Sequence, residues 1–236
     1  MRGKELLKRV VYGYRASSAS YVGKLRELGA TIGDDVNIHA PRSASIDLSA
    51  PFLLRIGDHV NIAGPATILT HDYSWSVIKG KWGDLIGNEK PVVIGSNVFI
   101  GWGATVLCGT TVEDNVVIGA HSVVSGHVQG DSVYGGAPAK RICSLEEYRK
   151  KRAGVQLEEA VELYRCYLDR FGSIPPEEVF REYFPLFCDP CSLSGVFDRQ
   201  AGLAGNRELS VRRMGAMRRF DSYGSFLEEC RRRVGR

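Results

Sequence analysis

Residues 94–129 read IGSNVF IGWGAT VLCGTT VEDNVV IGAHSV VSGHVQ, six hexapeptides in a row. The first residues are Ile94, Ile100, Val106, Val112, Ile118 and Val124, all aliphatic. The fifth residues, Val98, Ala104, Thr110, Val116, Ser122 and Val128, are all small or β-branched. A period of six matches neither the 3.6 of a helix nor the simple alternation of a half-buried strand. It predicts a short strand and a tight corner, repeated, with the aliphatic residue pointing inward. Each strand then pairs with the one a full turn away, giving a stacked prism with a core of Ile and Val. Gly and Asn at the corners suit the positive φ such turns need.

Working outward, IGDDVN and IHAPRS begin at Ile32 and Ile38, and IGDHVN, IAGPAT and ILTHDY begin at Ile56, Ile62 and Ile68. Ile38 and Ile56 are three units apart, which predicts one unbroken register with Ala44 and Ala50 on the weaker beats. The 26 residues from Ile68 to Ile94 read as one coil of 18 plus eight extra residues. That excess predicts a loop within DYSWSVIKGKWGDLIGNEKP, residues 72–91, with His71 at its root. Long loops on rigid scaffolds are where function tends to lie.

The flanks are helical in pattern. Short amphipathic helices are predicted over residues 3–12 and 18–28, the second with a serine-rich start and a glycine end. After residue 143 the beat is gone, and LEEAVELYRCYLDRFG (157–172) and PPEEVFREYFPLF (175–187) carry apolar residues at helical spacing. The chain thus divides into an N-terminal helical segment (1–30), a repeat domain (31–143) and a helical appendage (144–236). The aromatic residues Tyr164, Tyr167, Phe171, Phe180, Tyr183 and Phe184 read as packing surface within that appendage.

Composition excludes several classes. Among 236 residues, 44% are apolar and 25% charged, ordinary for a globular chain. No apolar run approaches the roughly 20 residues of a membrane span, and MRGKELLKRVVYGY lacks the apolar core and cleavage site of a secretory signal. Six scattered cysteines do not form a disulfide framework, so a reducing, cytoplasmic location is expected. Cys188 and Cys191 form a lone C-x-x-C, read as a reduced structural pair. The net charge of +4 is modest. The basic runs VRRMGAMRRF and RRRVGR read as a solvated helix face and chain end, not as a nucleic-acid site.

The repeat over residues 30–142, closing with SVYGGAPAKRI, resembles the hexapeptide-repeat acyltransferase family. Within it, I-L-T-H-D-Y-S, then a loop, then V-I-G-S-N-V-F-I-G, is similar to the sugar, polysaccharide and xenobiotic O-acetyltransferase branch. The resemblance implies a mainly β fold, a left-handed parallel β-helix with three hexapeptides per coil, and homotrimers with sites between subunits. It implies acetyl-CoA as cosubstrate, no metal, and a small-molecule or glycan acceptor. His71 matches the catalytic base, whose imidazole suits proton removal from a hydroxyl near neutral pH, and the backbone N–H of Trp102 matches the oxyanion donor. Phe99, Trp102, Ala120, Ser125, Gly126 and Lys140, with Arg141, match the coenzyme-binding positions. Gly126 departs from a lysine of some relatives, and Trp102 from a small residue. In the loop, Asp72, Tyr73, Trp75 and Trp82 are the acceptor-facing candidates; what orients His71 is left open.

The function expected is acetyl transfer to a hydroxyl of a capsular or cell-surface saccharide unit by direct attack in a ternary complex. An antibiotic-modifying O-acetyltransferase and a non-catalytic trimeric scaffold are the alternatives. A metal enzyme of the same fold would need three convergent histidines. His71, His121 and His127 each take the fourth place of a hexapeptide, but counting assigns them to three different faces.

Overall fold

The structure is a computed structural model and describes residues 7–8 and 10–235; of the helix expected over residues 3–12, residues 7–8 and 10–12 are described and are helical, and the rest lie outside the described residues. The chain divides into two compact units between Tyr148 and Arg149. In the first, helix α1 (Ser18–Glu27) starts where the Ser17 side chain accepts a hydrogen bond from Ser20 N. Its Tyr21, Val22 and Leu25 are buried in the same core as the first coil's Ile32 and Ile38.

Three parallel faces follow. The first stacks Thr31–Ile32, Leu54–Ile56, Val92–Ile94, Thr111–Val112 and His127–Val128. The second stacks Asn37–Ile38, Asn61–Ile62, Val98–Ile100, Val116–Ile118 and Ser132–Gly135, with Lys140–Ser144 antiparallel at its edge. The third stacks Ser45–Ile46, Thr67–Ile68, Thr105–Val106 and Val123–Val124. The aliphatic beats pair in register: Ile56 with Ile94, Ile62 with Ile100, Ile68 with Val106. All six are buried. The buried hydroxyls among the fifth residues are satisfied locally, Thr110 Oγ1 donating to Leu107 O and Ser122 Oγ to Gly119 O.

The fourth residue makes the corner. Asp35, His59, Asn97, Gly103, Gly109, Asn115 and His121 all have positive φ there. At some stacked corners the second residue has no room for a side chain: a Cβ on Gly101 would stand 2.6 Å from Ala120 N.

The spacing differs from expectation in three places. In the first coil the third-face residue is Ile46, paired with Ile68, so Ile38 to Ile56 is two corners and not three. Ala44 is buried at the fifth place before Ile46, and Ala50 in the widened turn; extra residues at two corners happen to total one hexapeptide. Between Ile68 and Ile94 the chain passes a single corner, from the third face to the first. The insertion is therefore 20 residues in place of eight. It holds an antiparallel ribbon of His71–Asp72 with Asn88–Glu89 and a helix, α2 (Trp75–Trp82), ended by Gly83 at φ 82°. At the last coil, Val128 itself pairs with Val112, so the corner after Val124 is two residues short and His127 lies within a strand.

The second unit contains most of α3 (Leu145–Phe171), then α4 (Gly195–Gly202), α5 (Arg207–Met217) and α6 (Tyr223–Val234). Its core includes the expected Tyr164, Phe180 and Phe184, joined by Phe187, Phe197 and Phe226, while Phe171 is exposed. PPEEVFREYFPLF forms two short 3₁₀ turns, Glu177–Phe180 and Phe184–Leu186, in place of the expected helix. Pro185, with no N–H and a ring that clashes with the preceding turn, interrupts it. Among the described residues no helix is long and apolar enough to cross a membrane.

Candidate active site

His71 occupies the fourth place of its hexapeptide, yet it does not take the left-handed corner conformation of its counterparts. It continues as an extended strand into the ribbon, opposite Glu89. The ring is thereby delivered to the edge where the third face ends, held between Asp47 and Tyr73. His71 Nδ1 lies 2.5 Å from Asp47 Oδ2, and Tyr73 meets the imidazole edge-on at 5.1 Å between centroids.

Asp47 directly follows the inward Ile46. Its Oδ1 accepts from Ser49 N (2.9 Å) and Ser49 Oγ (2.6 Å), and its Oδ2 from Thr70 N (3.2 Å) and Thr70 Oγ1 (2.6 Å) as well as His71. The Ser49 hydroxyl also lies 3.2 Å from His71 Nδ1. The Asp47 side chain is only 6% exposed, against 24% for His71. Burial pushes the Asp47 carboxyl up, but the bonds from the Ser49 hydroxyl, Thr70, the Ser49 N–H and His71 outweigh it and hold the group well below the usual carboxylate range. An ionised Asp47 fixes Nδ1 of His71 as the donor. That leaves the Nε2 lone pair free to take a proton.

Asp72, the sequence neighbour of His71, has a different task. It accepts from Ser74 N (2.9 Å) and Ser74 Oγ (2.6 Å), and from Asn88 Nδ2. These bonds lower its pKa and tie both ends of the insertion together. Asn88 Nδ2 also lies 3.4 Å from Cys108 Sγ. Tyr73 and Trp82 are exposed and Trp75 is half-buried.

The coenzyme candidates lie elsewhere on the prism. Phe99 points outward from the second face, and Trp102 and Ala120 sit at the edge between the second and third faces. The Trp102 carbonyl accepts from His121 N at 2.8 Å. Ser125 and the positive-φ Gly126 occupy the shortened corner at the other edge of the third face, two rungs from the His71 corner. Lys140 and Arg141 are exposed on the antiparallel edge strand of the second face. Within one chain, then, His71 and Trp102 border opposite edges of the third face. Among the described residues no group of three or more His, Cys, Asp or Glu is placed to hold a metal. His127 lies instead beside Glu113, 2.9 Å away, on the first face.

Residues 91–125 match the family model described as the hexapeptide repeat of succinyl-transferase. The chain is 39% identical over 132 residues to Protein CapG of Staphylococcus aureus, covering 54% of this chain and 73% of that protein. It belongs to the hexapeptide-repeat acyltransferase family. A second member, galactoside O-acetyltransferase of Escherichia coli, is 29% identical over 170 residues, covering 64% of this chain and 81% of that one. Among solved structures, a hexapeptide-repeat acetyltransferase from Vibrio cholerae is similar at 24% identity and a TM-score of 0.45, over 61% of this chain and 90% of that one. In this acyltransferase, the residues that reading of the sequence missed are Asp47, Ser49, Thr70 and Asn88. Asp47 stands 24 residues before His71, in the coil whose irregular corners hide its position.

Proposed function

We propose that this chain transfers an acetyl group from acetyl-CoA to a hydroxyl of a saccharide, in a ternary complex and without an acyl-enzyme. The observation that carries the reading is the His71–Asp47 couple: a buried, five-fold hydrogen-bonded carboxylate orienting an edge-exposed imidazole. The names of the relatives, a galactoside O-acetyltransferase among them, support a sugar acceptor.

When bound, acetyl-CoA supplies the thioester and a thiolate leaving group, so no protein nucleophile is needed. Its fit rests on the small residues Ala120 and Gly126, which let a slender arm approach the backbone, and on exposed Lys140 and Arg141, suited to phosphate. His71 Nε2 takes the acceptor's hydroxyl proton as the oxygen attacks, and the same nitrogen then returns a proton to the departing sulfur. Asp47 stabilises the imidazolium between these steps. The Trp102 N–H donates to the charge developing on the carbonyl oxygen. Because His71 and Trp102 border different edges of one prism, we take the site to be shared between subunits of a homotrimer, with the coil left-handed as in the family. The insertion at 72–91 is the acceptor loop of the coil domain 31–143.

Calorimetric titration with coenzyme A and acetyl-CoA tests the reading. The expected result is about one site per chain, weakened by Lys140→Ala with Arg141→Ala. A folded oligomer that binds neither would overturn it.

A further inference from the structure

We propose that the acceptor is an anionic saccharide, its sugar held on the Trp75–Trp82 side of α2 and its carboxylate or phosphate by Lys79 and Lys81. The proposal rests on the saccharide reading above and narrows it.

A track of rings leads from the base to this helix. His71 meets Tyr73 at 5.1 Å between centroids, and Tyr73 meets Trp75 at 6.1 Å. Trp75, Ile78, Lys79 and Trp82 are spaced i, i+3, i+4 and i+7, so they share one side of α2. The two tryptophans are about 10 Å apart along its axis, a span longer than one sugar ring. Trp82 is 63% exposed. Aromatic faces of this kind offer an apolar platform for the C–H side of a pyranose.

The charged groups on this platform carry one sign. Lys79 Nζ lies 5.9 Å from the Trp75 ring centroid and Lys81 Nζ 4.3 Å from that of Trp82. Among the described residues, neither ammonium is paired with a carboxylate. The sequence of α2, WSVIKGKW, contains no carboxylate and no amide, and Ser76 is its one hydroxyl, off the side that Trp75, Lys79 and Trp82 share. Neutral sugars are gripped by groups that accept as well as donate, whereas lysine only donates and carries charge. Of the loop's acids, Asp72 is occupied by Ser74 and Asn88, and Asp84 and Glu89 lie outside the helix. The helix dipole favours cations in its last turn; that accounts for their sign but not for their place over the rings. A platform of aromatic faces and unpaired ammonium groups, reached from the base through Tyr73, fits a sugar acid or sugar phosphate.

The test is calorimetric titration of the full chain, saturated with coenzyme A, against matched sets: methyl glucoside, methyl glucuronide and glucose 6-phosphate, the galacto equivalents, and N-acetylneuraminic acid. At least one acid should bind ten-fold or more tightly than its neutral counterpart, and Lys79→Gln with Lys81→Gln should remove that preference while leaving coenzyme A affinity unchanged. The carboxylate and phosphate arms identify which acid is meant. Equal binding of neutral sugars, an acid preference that survives the double substitution, or no binding by any acid overturns the proposal. Coenzyme A affinity on the same sample separates the two readings: if it persists, the acyltransferase reading stands without the acid preference, and if the unaltered chain lacks it, both fall.

Discussion

A carboxylate accepting five hydrogen bonds does not take up a proton near neutral pH, and this is what fits His71 for the proposed role of base. Replacing Asp47 with Asn keeps the shape but offers Nδ1 an ambiguous partner, so the imidazole loses its fixed tautomer. We expect kcat to fall at least roughly 10–100-fold, the range known for losing the partner that orients a metal-bound histidine, with a smaller change in KM, measured by thiol release from acetyl-CoA. The same carboxylate affects stability. Its folded pKa lies below the unfolded value of about 3.9, so its contribution is complete above that value and disappears as pH falls through the folded pKa. Urea unfolding should therefore show Asp47→Asn less stable than the parent at pH 7, and the gap should shrink toward pH 3. A gap independent of pH would contradict the assignment. Thiols provide a second check at this scale. Burial raises Cys188 to about 11 and Cys230 to about 12, while Cys166 and Cys191 are exposed. Iodoacetamide at neutral pH should label Cys166 and Cys191 first, read by peptide mass mapping.

At the scale of the element, the coil was legible wherever its corners are of standard length. Residues 94–124 keep the beat because each corner spends its fourth residue on a left-handed turn and stacks on the one below. Where the chain leaves that rule, counting misled. Extra residues at two corners of the first coil mimic a hexapeptide, and a 20-residue insertion at one corner looks like a coil plus eight. The location of His71 at the insertion root was readable, whereas Asp47 was hidden by the irregular coil. In the second unit, apolar spacing suggested a helix over 175–187, where the chain instead makes two 3₁₀ turns, the second holding Pro185, which cannot donate an N–H. The ladder itself is the element most sensitive to truncation. Ile62 is fully buried and pairs on both sides with Ile38 and Ile100, so Ile62→Ala should cost about 2–5 kcal/mol in denaturant unfolding.

At the scale of the molecule, two separate hydrophobic cores imply two separable stabilities. Phe226 is fully buried in the second core, in ring contact with Phe180, Phe187, Phe220 and Tyr223. Phe226→Ala should cost about 3–5 kcal/mol there. Hydrogen exchange should show amides of residues 149–235 losing protection while the ladder amides keep theirs; loss of protection throughout would mean that the two cores unfold as one. None of the site residues lies in this second unit, and the sequence offered no chemistry for it beyond packing.

The proposed acetyl transfer requires His71 to act as its base. The direct measurement is acceptor-dependent release of coenzyme A thiol by the parent chain and by His71→Ala, with coenzyme A affinity determined on both. In the variant kcat should fall by about 10²–10⁴-fold while affinity is unchanged. A variant that turns over at the parent rate would contradict that role.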